Sequence, residues 1–121
     1  MRALFDTNIL VDYLNGIAKA KSEIQQFPDR AISVISWAET MVGSRGEEEE
    51  QIIRDFLATF EVCDVDLETA EEAVALWRDR RIRLPDALIW ATARLRHAML
   101  VTRNTKDFPR DDPGVRVPYA L

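Results

Sequence analysis

Short apolar runs alternate along the chain with segments of helical periodicity, and this alternation restricts the possible folds more than any other feature. Five short segments rich in apolar residues predict strands, the last of them weak, at positions 3–5, 31–35, 60–65, 99–101 and 115–117. Helical patterns fall between them, at 9–14, 18–27, 36 onward, 48–56, 70–77 and 86–97. Strands separated by helices predict a parallel sheet covered on both faces. We therefore expect a three-layer α/β/α domain with about five parallel strands, in an order that the pattern does not determine.

Chain length and composition exclude several classes of protein. The 121 residues suffice for one domain, residues 1–121, with its own apolar core. A lone Cys63 rules out an internal disulfide and a cysteine-based zinc site, and a lone His97 rules out metalloproteases of the HExxH type. The four glycines form no phosphate-binding loop. No apolar run approaches the ~20 residues that cross a bilayer, and no apolar leader follows Met1, so we expect a cytoplasmic protein without membrane contact.

Acidic residues lie where a parallel sheet usually forms its site, beyond the carboxyl ends of the strands. Asp6 follows the first strand, Glu39 lies one turn after the second, and Asp107 follows the fourth. Asp86 begins the helix that precedes the fourth strand, and a right-handed crossover brings the start of that helix to the same edge. These four acids are therefore expected to converge.

Clustered carboxylates repel one another, which raises their pKa values and lowers the stability of the folded chain. A bound divalent cation removes this repulsion. Because no second histidine or cysteine is available, the cation expected is Mg²⁺, with Mn²⁺ as the alternative. One or two such ions can activate water for cleavage of a phosphodiester. Each acid also has a structural interpretation: Asp6 and Asp86 at helix N-termini, Glu39 in a capping box with Ser36, and Asp107 as an ordinary loop acid.

At these acids the sequence resembles the PIN-domain family, and within it the VapC-like toxins of bacterial and archaeal toxin–antitoxin pairs. Four segments carry the resemblance in the family's order and span nearly the whole chain: FDTNIL at 5–10, SWAE at 36–39, LPDALIWATA at 84–93 and VTRNTKDF at 101–108. The resemblance implies a PIN-like fold and a Mg²⁺- or Mn²⁺-dependent endoribonuclease that cleaves RNA. It also implies neutralisation by a cognate VapB-like antitoxin, and a homodimer.

The resemblance further implies roles for individual residues. The metal would be bound mainly by Asp6 and Asp86, with Glu39 supporting it and orienting water. Asn104 stands where some relatives carry an acid, so either Asp107 supplies the fourth catalytic acid or the site has only three charges. Five other polar side chains of these segments are expected to orient the carboxylates by hydrogen bonds; they are Thr7, Asn8, Ser36, Thr102 and Asn104.

A net charge of −5 argues at first against a nucleic-acid partner. Residues 78–110, however, contain nine Lys and Arg against three acids, a local net charge of +6. Arg81, Arg83 and Arg103 are therefore candidates for contacts with the RNA backbone. The alternative is that residues 78–83 are simply a cationic helix end that suits the helix dipole.

Four other residues are given structural roles. The helical spacing of Trp77 and Trp90 predicts two core residues, with a groove lining as the less favoured alternative. Cys63 is expected to be an inert buried thiol, and His97 a structural residue at a helix end.

Two alternative functions remain open. A phosphoacceptor receiver domain would use Asp64 or Asp66 as acceptor and Lys106 as its lysine, but it leaves Glu39 and Asp86 without a role. A PIN scaffold that binds RNA or a partner protein without cleaving it is the other alternative, and Asn104 is the residue that keeps it open.

Overall fold

The computed structural model describes residues 1–121 as five strands and six helices. The strands are β1 (Ala3–Phe5), β2 (Arg30–Ser33), β3 (Glu61–Cys63), β4 (Met99–Val101) and β5 (Val115–Arg116). The helices are α1 (Thr7–Leu14), α2 (Ala18–Gln25), α3 (Val34–Met41), α4 (Glu47–Leu57), α5 (Leu67–Arg80) and α6 (Leu84–Leu95). The predicted α/β class and the number of strands are confirmed. No helix is long and apolar enough to cross a membrane.

All strands are parallel, in the order β3-β2-β1-β4-β5. The order reverses direction between β1 and β4, whose last residues, Phe5 and Val101, are paired. The residues that follow them, Asp6 and Thr102, therefore emerge side by side at the carboxyl edge. This reversal is the place where open parallel sheets usually bind ligands.

Alternate strand residues point to opposite faces of the sheet, and each face has its own apolar core. Leu4, Ala31 and Leu100 pack against α5 and α6, around the fully buried Trp90. Phe5, Ile32 and Val101 instead pack against α1, α2 and α4. The three-layer arrangement thus follows from strands that are apolar on both sides.

The start of α3 differs from the prediction. We expected Ser36 to cap this helix with Glu39 as its capping-box partner, but Ser33 is the cap and its hydroxyl accepts from the Ile35 amide at 3.1 Å. The helix begins at Val34, so β2 ends at Ser33 instead of Ile35. Ser36 and Glu39 consequently lie within the helix, with their side chains free for other contacts.

The two tryptophans also differ in environment. Trp90 is 1% exposed and its ring meets Phe108 edge-on at 5.6 Å, as expected for a core residue. Trp77 is 50% exposed, so its prediction as a core residue is wrong. Ala73 and Leu76 occupy the buried stripe of α5, which leaves Trp77 at its edge.

Candidate functional site

Asp6 stands at the centre of the carboxyl edge, where it caps α1, and is 4% exposed. The Thr7 amide donates to its Oδ1 at 2.7 Å, and the Thr102 hydroxyl donates to its Oδ2 at 2.8 Å. The Asn8 side-chain amide also donates to Oδ2, at 3.2 Å. Burial, with smaller contributions from the charges of Asp86 and Glu39, raises the pKa of Asp6 to about 6, although the hydrogen bonds from Thr102 and the Thr7 amide oppose the rise.

Glu39 reaches the same edge from α3, and Thr7 connects it to α1. Thr7 Oγ1 lies 2.7 Å from Glu39 Oε1 and 2.9 Å from Ser36 Oγ. Since a carboxylate only accepts, the Thr7 hydroxyl donates to Glu39. Glu39 itself is exposed, so the bond to Thr7 fixes one of its oxygens at the rim while the rest of the carboxylate faces solvent.

Asp86 lies in the first turn of α6, with Pro85 beside it at the helix start, and is 6% exposed. The Arg83 guanidinium donates from Nε to Asp86 Oδ2 at 3.3 Å. Burial raises the pKa of Asp86, the contact with Arg83 opposes that rise, and Asp107 and Glu39 add to it. The charges of the other acids therefore act on Asp86 without direct contact, whereas Arg83 forms a hydrogen bond to it.

The loop after β4 places Asn104 and Asp107 differently. Asn104 lines the pocket, and its side-chain amide donates to Asp107 Oδ2 at 3.0 Å. Asn104 Oδ1 in turn accepts from the backbone amide of Asp107 at 3.2 Å. The backbone amide of Asn104 donates to the Thr102 hydroxyl at 3.0 Å. Asp107 thus stands behind Asn104 and does not line the pocket.

Together these side chains enclose a polar cavity of about 350 Å³. Its lining contains three acids, two arginines and four further side chains: Asp6, Glu39, Asp86, Arg83, Arg103, Thr7, Asn8, Val11 and Asn104. The acids come from three segments that are far apart in sequence, and the fold brings them to one opening.

The side chains that line this cavity have the chemistry of a divalent-cation site. No group of three or more His, Cys, Asp or Glu side chains is arranged to hold an ion in this conformation. The available donors are nevertheless all oxygens, and burial together with mutual repulsion raises the pKa of both Asp6 and Asp86. Carboxylate and amide oxygens are the ligands that Mg²⁺ and Mn²⁺ prefer, so the residues present fit such an ion.

Of the three arginines considered for RNA contacts, the structure places two at the cavity. Arg83 and Arg103 line it, whereas Arg81 lies outside, beside Trp77 and Arg78 on another surface. Arg103 is already paired: its Nε and Nη2 bond the Asp12 carboxylate at 2.6 and 2.9 Å. Arg83 bonds Asp86 only through Nε, so both of its terminal nitrogens keep free donors.

Asp12 and Tyr119 are the residues that the sequence analysis missed. Asp12 is 5% exposed on α1, and the Tyr119 hydroxyl donates to its Oδ2 at 2.7 Å. The one available signal is that Asp12 is the only acid in the apolar pattern of α1, at a position where that pattern predicts burial. Its partners lie 91 and 107 residues away, and no local pattern identifies them.

The remaining expectations concern single residues. Cys63 is 2% exposed in β3, and burial raises the pKa of its thiol. His97 follows the end of α6 in the left-handed conformation, at φ 52°.

The receiver alternative does not match this geometry. A receiver would need Asp64 or Asp66 close to Asp6, but β2 lies between β1 and β3. Two strand spacings amount to roughly 10 Å, and Asp66 is engaged as the cap of α5, accepting from the Thr69 amide at 2.8 Å.

Comparison with known proteins gives a consistent picture. The family model described as PIN domain matches residues 3–112. Ribonuclease VapC10 of Mycobacterium tuberculosis is 32% identical over 126 residues, which cover 98% of this chain and 93% of the relative. Ribonuclease VapC1 of Methanocaldococcus jannaschii is 28% identical, over 90% of this chain and 80% of its own length.

Solved structures agree with these relatives. A toxin–antitoxin complex from Klebsiella pneumoniae contains a chain that is 46% identical, with a TM-score of 0.92, over 98% of this chain and 99% of that one. VapBC2 from Rickettsia felis, bound to a DNA fragment from its promoter, contains a chain with a TM-score of 0.80 and 28% identity, over 95% and 96% of the two chains.

Proposed function

The chain belongs to the PIN-domain family, and we propose that it is a divalent-metal-dependent endoribonuclease acting as the toxin of a toxin–antitoxin pair. The observation that carries the proposal is the convergence of Asp6, Glu39 and Asp86 on one cavity that also contains Arg83. Acids alone would repel an RNA phosphate, whereas acids with a bound cation and a neighbouring arginine attract it. The names of the relatives, ribonucleases and toxin–antitoxin complexes, support the same assignment.

Asp6 and Asp86 are the proposed metal ligands. Both are buried, and burial and neighbouring carboxylates disfavour the charged form of each, which a cation would stabilise. A bound Mg²⁺ or Mn²⁺ supplies Lewis-acid polarisation of the phosphodiester and activation of water. Thr102, Asn8 and the Thr7 amide keep the Asp6 carboxylate in a fixed orientation.

Glu39 is proposed to orient the attacking water and accept its proton. The Thr7 hydroxyl holds one oxygen and so restricts the orientation of the carboxylate, which lines the same cavity as Asp6 and Asp86. Asn104 contributes a polar side chain at the rim, and Asp107 acts through Asn104 by holding its amide. Asp107 is therefore proposed as a positioning residue that does not touch the substrate.

The partners proposed for the chain are an RNA substrate, a VapB-like antitoxin and a second copy of the chain, in the cytoplasm and as a single PIN-like domain. The support for the antitoxin is the match to chains of toxin–antitoxin complexes at 46% and 28% identity. Arg83 uses only Nε and has both terminal nitrogens left for an RNA phosphate, whereas Arg103 already uses Nε and Nη2 on Asp12.

The test is RNA cleavage by the purified chain with Mg²⁺, with Mn²⁺ and with excess EDTA, alongside Asp86→Asn. We expect cleavage that requires the metal and falls at least about 100-fold in the variant, because the ligand charge is lost. Asp79→Asn, at an exposed position of α5, is the matched control and should cleave like the wild type. Cleavage in EDTA would contradict the proposal. RNA binding without cleavage under every condition would instead favour the non-cleaving scaffold.

A further inference from the structure

Asp86 already has a cationic partner within the chain. Arg83 Nε lies 3.3 Å from Asp86 Oδ2, on the side of the carboxylate that opens to the cavity shared with Asp6 and Glu39. The two side chains differ sharply in environment, since 73% of the Arg83 side chain is exposed and only 8% of the Asp86 side chain. The carboxylate is therefore fixed by the fold, and the guanidinium reaches it from solvent.

The contact of Arg83 is weakly constrained compared with that of the other cavity arginine. Arg103 uses two nitrogens on Asp12, and the Tyr119 hydroxyl braces the same carboxylate. Arg83 makes one side-chain hydrogen bond, and although it is the N-cap residue of α6, its side chain takes no part in the capping. Its guanidinium can leave Asp86 by side-chain rotation alone, without any change in the backbone.

A divalent cation held by Asp86 would compete with the Arg83 guanidinium for that carboxylate. Both are positive, so the presence of one beside Asp86 opposes the approach of the other. The absence of a preformed ligand group in this conformation agrees with an arginine at that place.

We propose that Arg83 is a built-in counter-cation of Asp86 that a divalent metal ion displaces, and this rests on the proposed function. In the metal-free protein Arg83 balances the buried carboxylate. When the ion binds, Arg83 turns away from Asp86 and remains at the cavity rim, where its five donors are available to an RNA phosphate. Arg83 thereby couples metal binding to substrate binding.

The predicted consequence is that Arg83 weakens metal binding. Exposed ion pairs are modest, and a pair with one buried partner is somewhat stronger, so loss of Arg83 should tighten metal binding roughly threefold to tenfold. The experiment is isothermal titration of the purified chain with Mn²⁺ alone, comparing wild type with Arg83→Gln.

Arg81→Gln is the matched control because it removes the same charge two residues earlier, from an exposed side chain that does not line the cavity. We expect it to change the Mn²⁺ Kd by less than about twofold. Arg83→Lys restores the charge and should return the Kd toward that of the wild type. An unchanged or weaker Kd in Arg83→Gln, equal tightening in Arg81→Gln, or equal tightening in Arg83→Lys would overturn the inference.

Asp86→Asn separates this inference from the proposed function. If the wild type binds Mn²⁺ and Asp86→Asn does not, the metal site holds and the Arg83 variants decide the inference. If the wild type and all variants fail to bind Mn²⁺, the proposed metal site is wrong and the inference is overturned with it.

Discussion

Arg103 and Asp12 form a two-pronged ion pair, with Nε–Oδ2 and Nη2–Oδ1 distances of 2.6 and 2.9 Å. The pair joins the loop after β4 to α1, and Tyr119 adds the C-terminal segment to the same carboxylate. The Arg103 amide also donates to Asn8 Oδ1 at 3.2 Å, so the loop is tied to α1 at two points beside Asp6. These contacts fix the position of the loop after β4, which carries Asn104, relative to α1, which Asp6 caps.

Asp12→Asn should destabilise the protein by about 2 kcal/mol. The change keeps the shape of the side chain but leaves the Arg103 charge without a partner, and partial exposure of Arg103 keeps the cost below that of a fully buried pair. Urea denaturation measures the difference. Glu50→Gln, which breaks the exposed pair with Arg54, is the control and should cost less than about 0.5 kcal/mol. Equal effects of the two variants would refute a structural role for the buried pair.

Asp6→Asn should make the metal-free protein more stable at pH 8. Burial raises the pKa of Asp6 to about 6 in the folded state, so its ionisation costs stability as pH rises from about 4 to above 6. The full cost is on the order of 2–3 kcal/mol, and an imperfect hydrogen bond of the new amide to the Thr7 amide reduces the expected gain to about 1–2 kcal/mol.

The pH series is the control for that prediction. Below about pH 3 the carboxyl is protonated in both folded and unfolded states, so the gain in stability should vanish there. Chemical denaturation at several pH values measures it. A gain that is independent of pH would show that ionisation of Asp6 is not its cause.

Thr7→Val should lower kcat/KM for RNA about tenfold while leaving the Mn²⁺ Kd within about twofold. The change removes the hydroxyl that bonds Glu39 but keeps the Thr7 amide that bonds Asp6. Thr7→Ser retains the hydroxyl and should keep most of the activity. If the valine and serine variants behaved alike, the bond to Glu39 would have no part in the reaction.

Substitutions at the two tryptophans of α5 and α6 should differ in their effect on folding. Trp90→Phe leaves a gap in a fully packed core and should cost about 1–2 kcal/mol, whereas Trp77→Phe should stay within about 0.5 kcal/mol. Thermal or urea unfolding distinguishes them. A larger loss in Trp77→Phe would mean that Trp77 is covered in solution.

Strands β1 and β4 were predictable at their observed bounds because each is a short apolar run bounded by helical patterns. The end of β2 was not, since Val34 and Ile35 continue an apolar, β-branched run that looks like strand. The Ser33 hydroxyl ends that strand by capping α3. Strand order depends on how helices cross the sheet, which no local pattern encodes.

For the site, the rule that open parallel sheets form their sites beyond the carboxyl ends of the strands is enough to predict that Asp6, Glu39 and Asp86 lie near one another. The rule says nothing about hydrogen-bond partners. Arg103 pairs with Asp12, 91 residues away, because of the way the loop after β4 folds over α1. The local spacing of Asp86 and Arg83 permits their contact. Glu39 and Asp107 come near Arg83 only when the chain is folded.

Whether Asp6 and Asp86 share one divalent cation is tested most directly by anomalous scattering from crystals of the protein soaked in Mn²⁺. We predict a peak in the cavity at roughly 2.0–2.3 Å from a carboxylate oxygen of each residue, with Arg83 turned away from Asp86. Manganese bound only elsewhere on the protein, with Arg83 still on Asp86, would contradict the assignment.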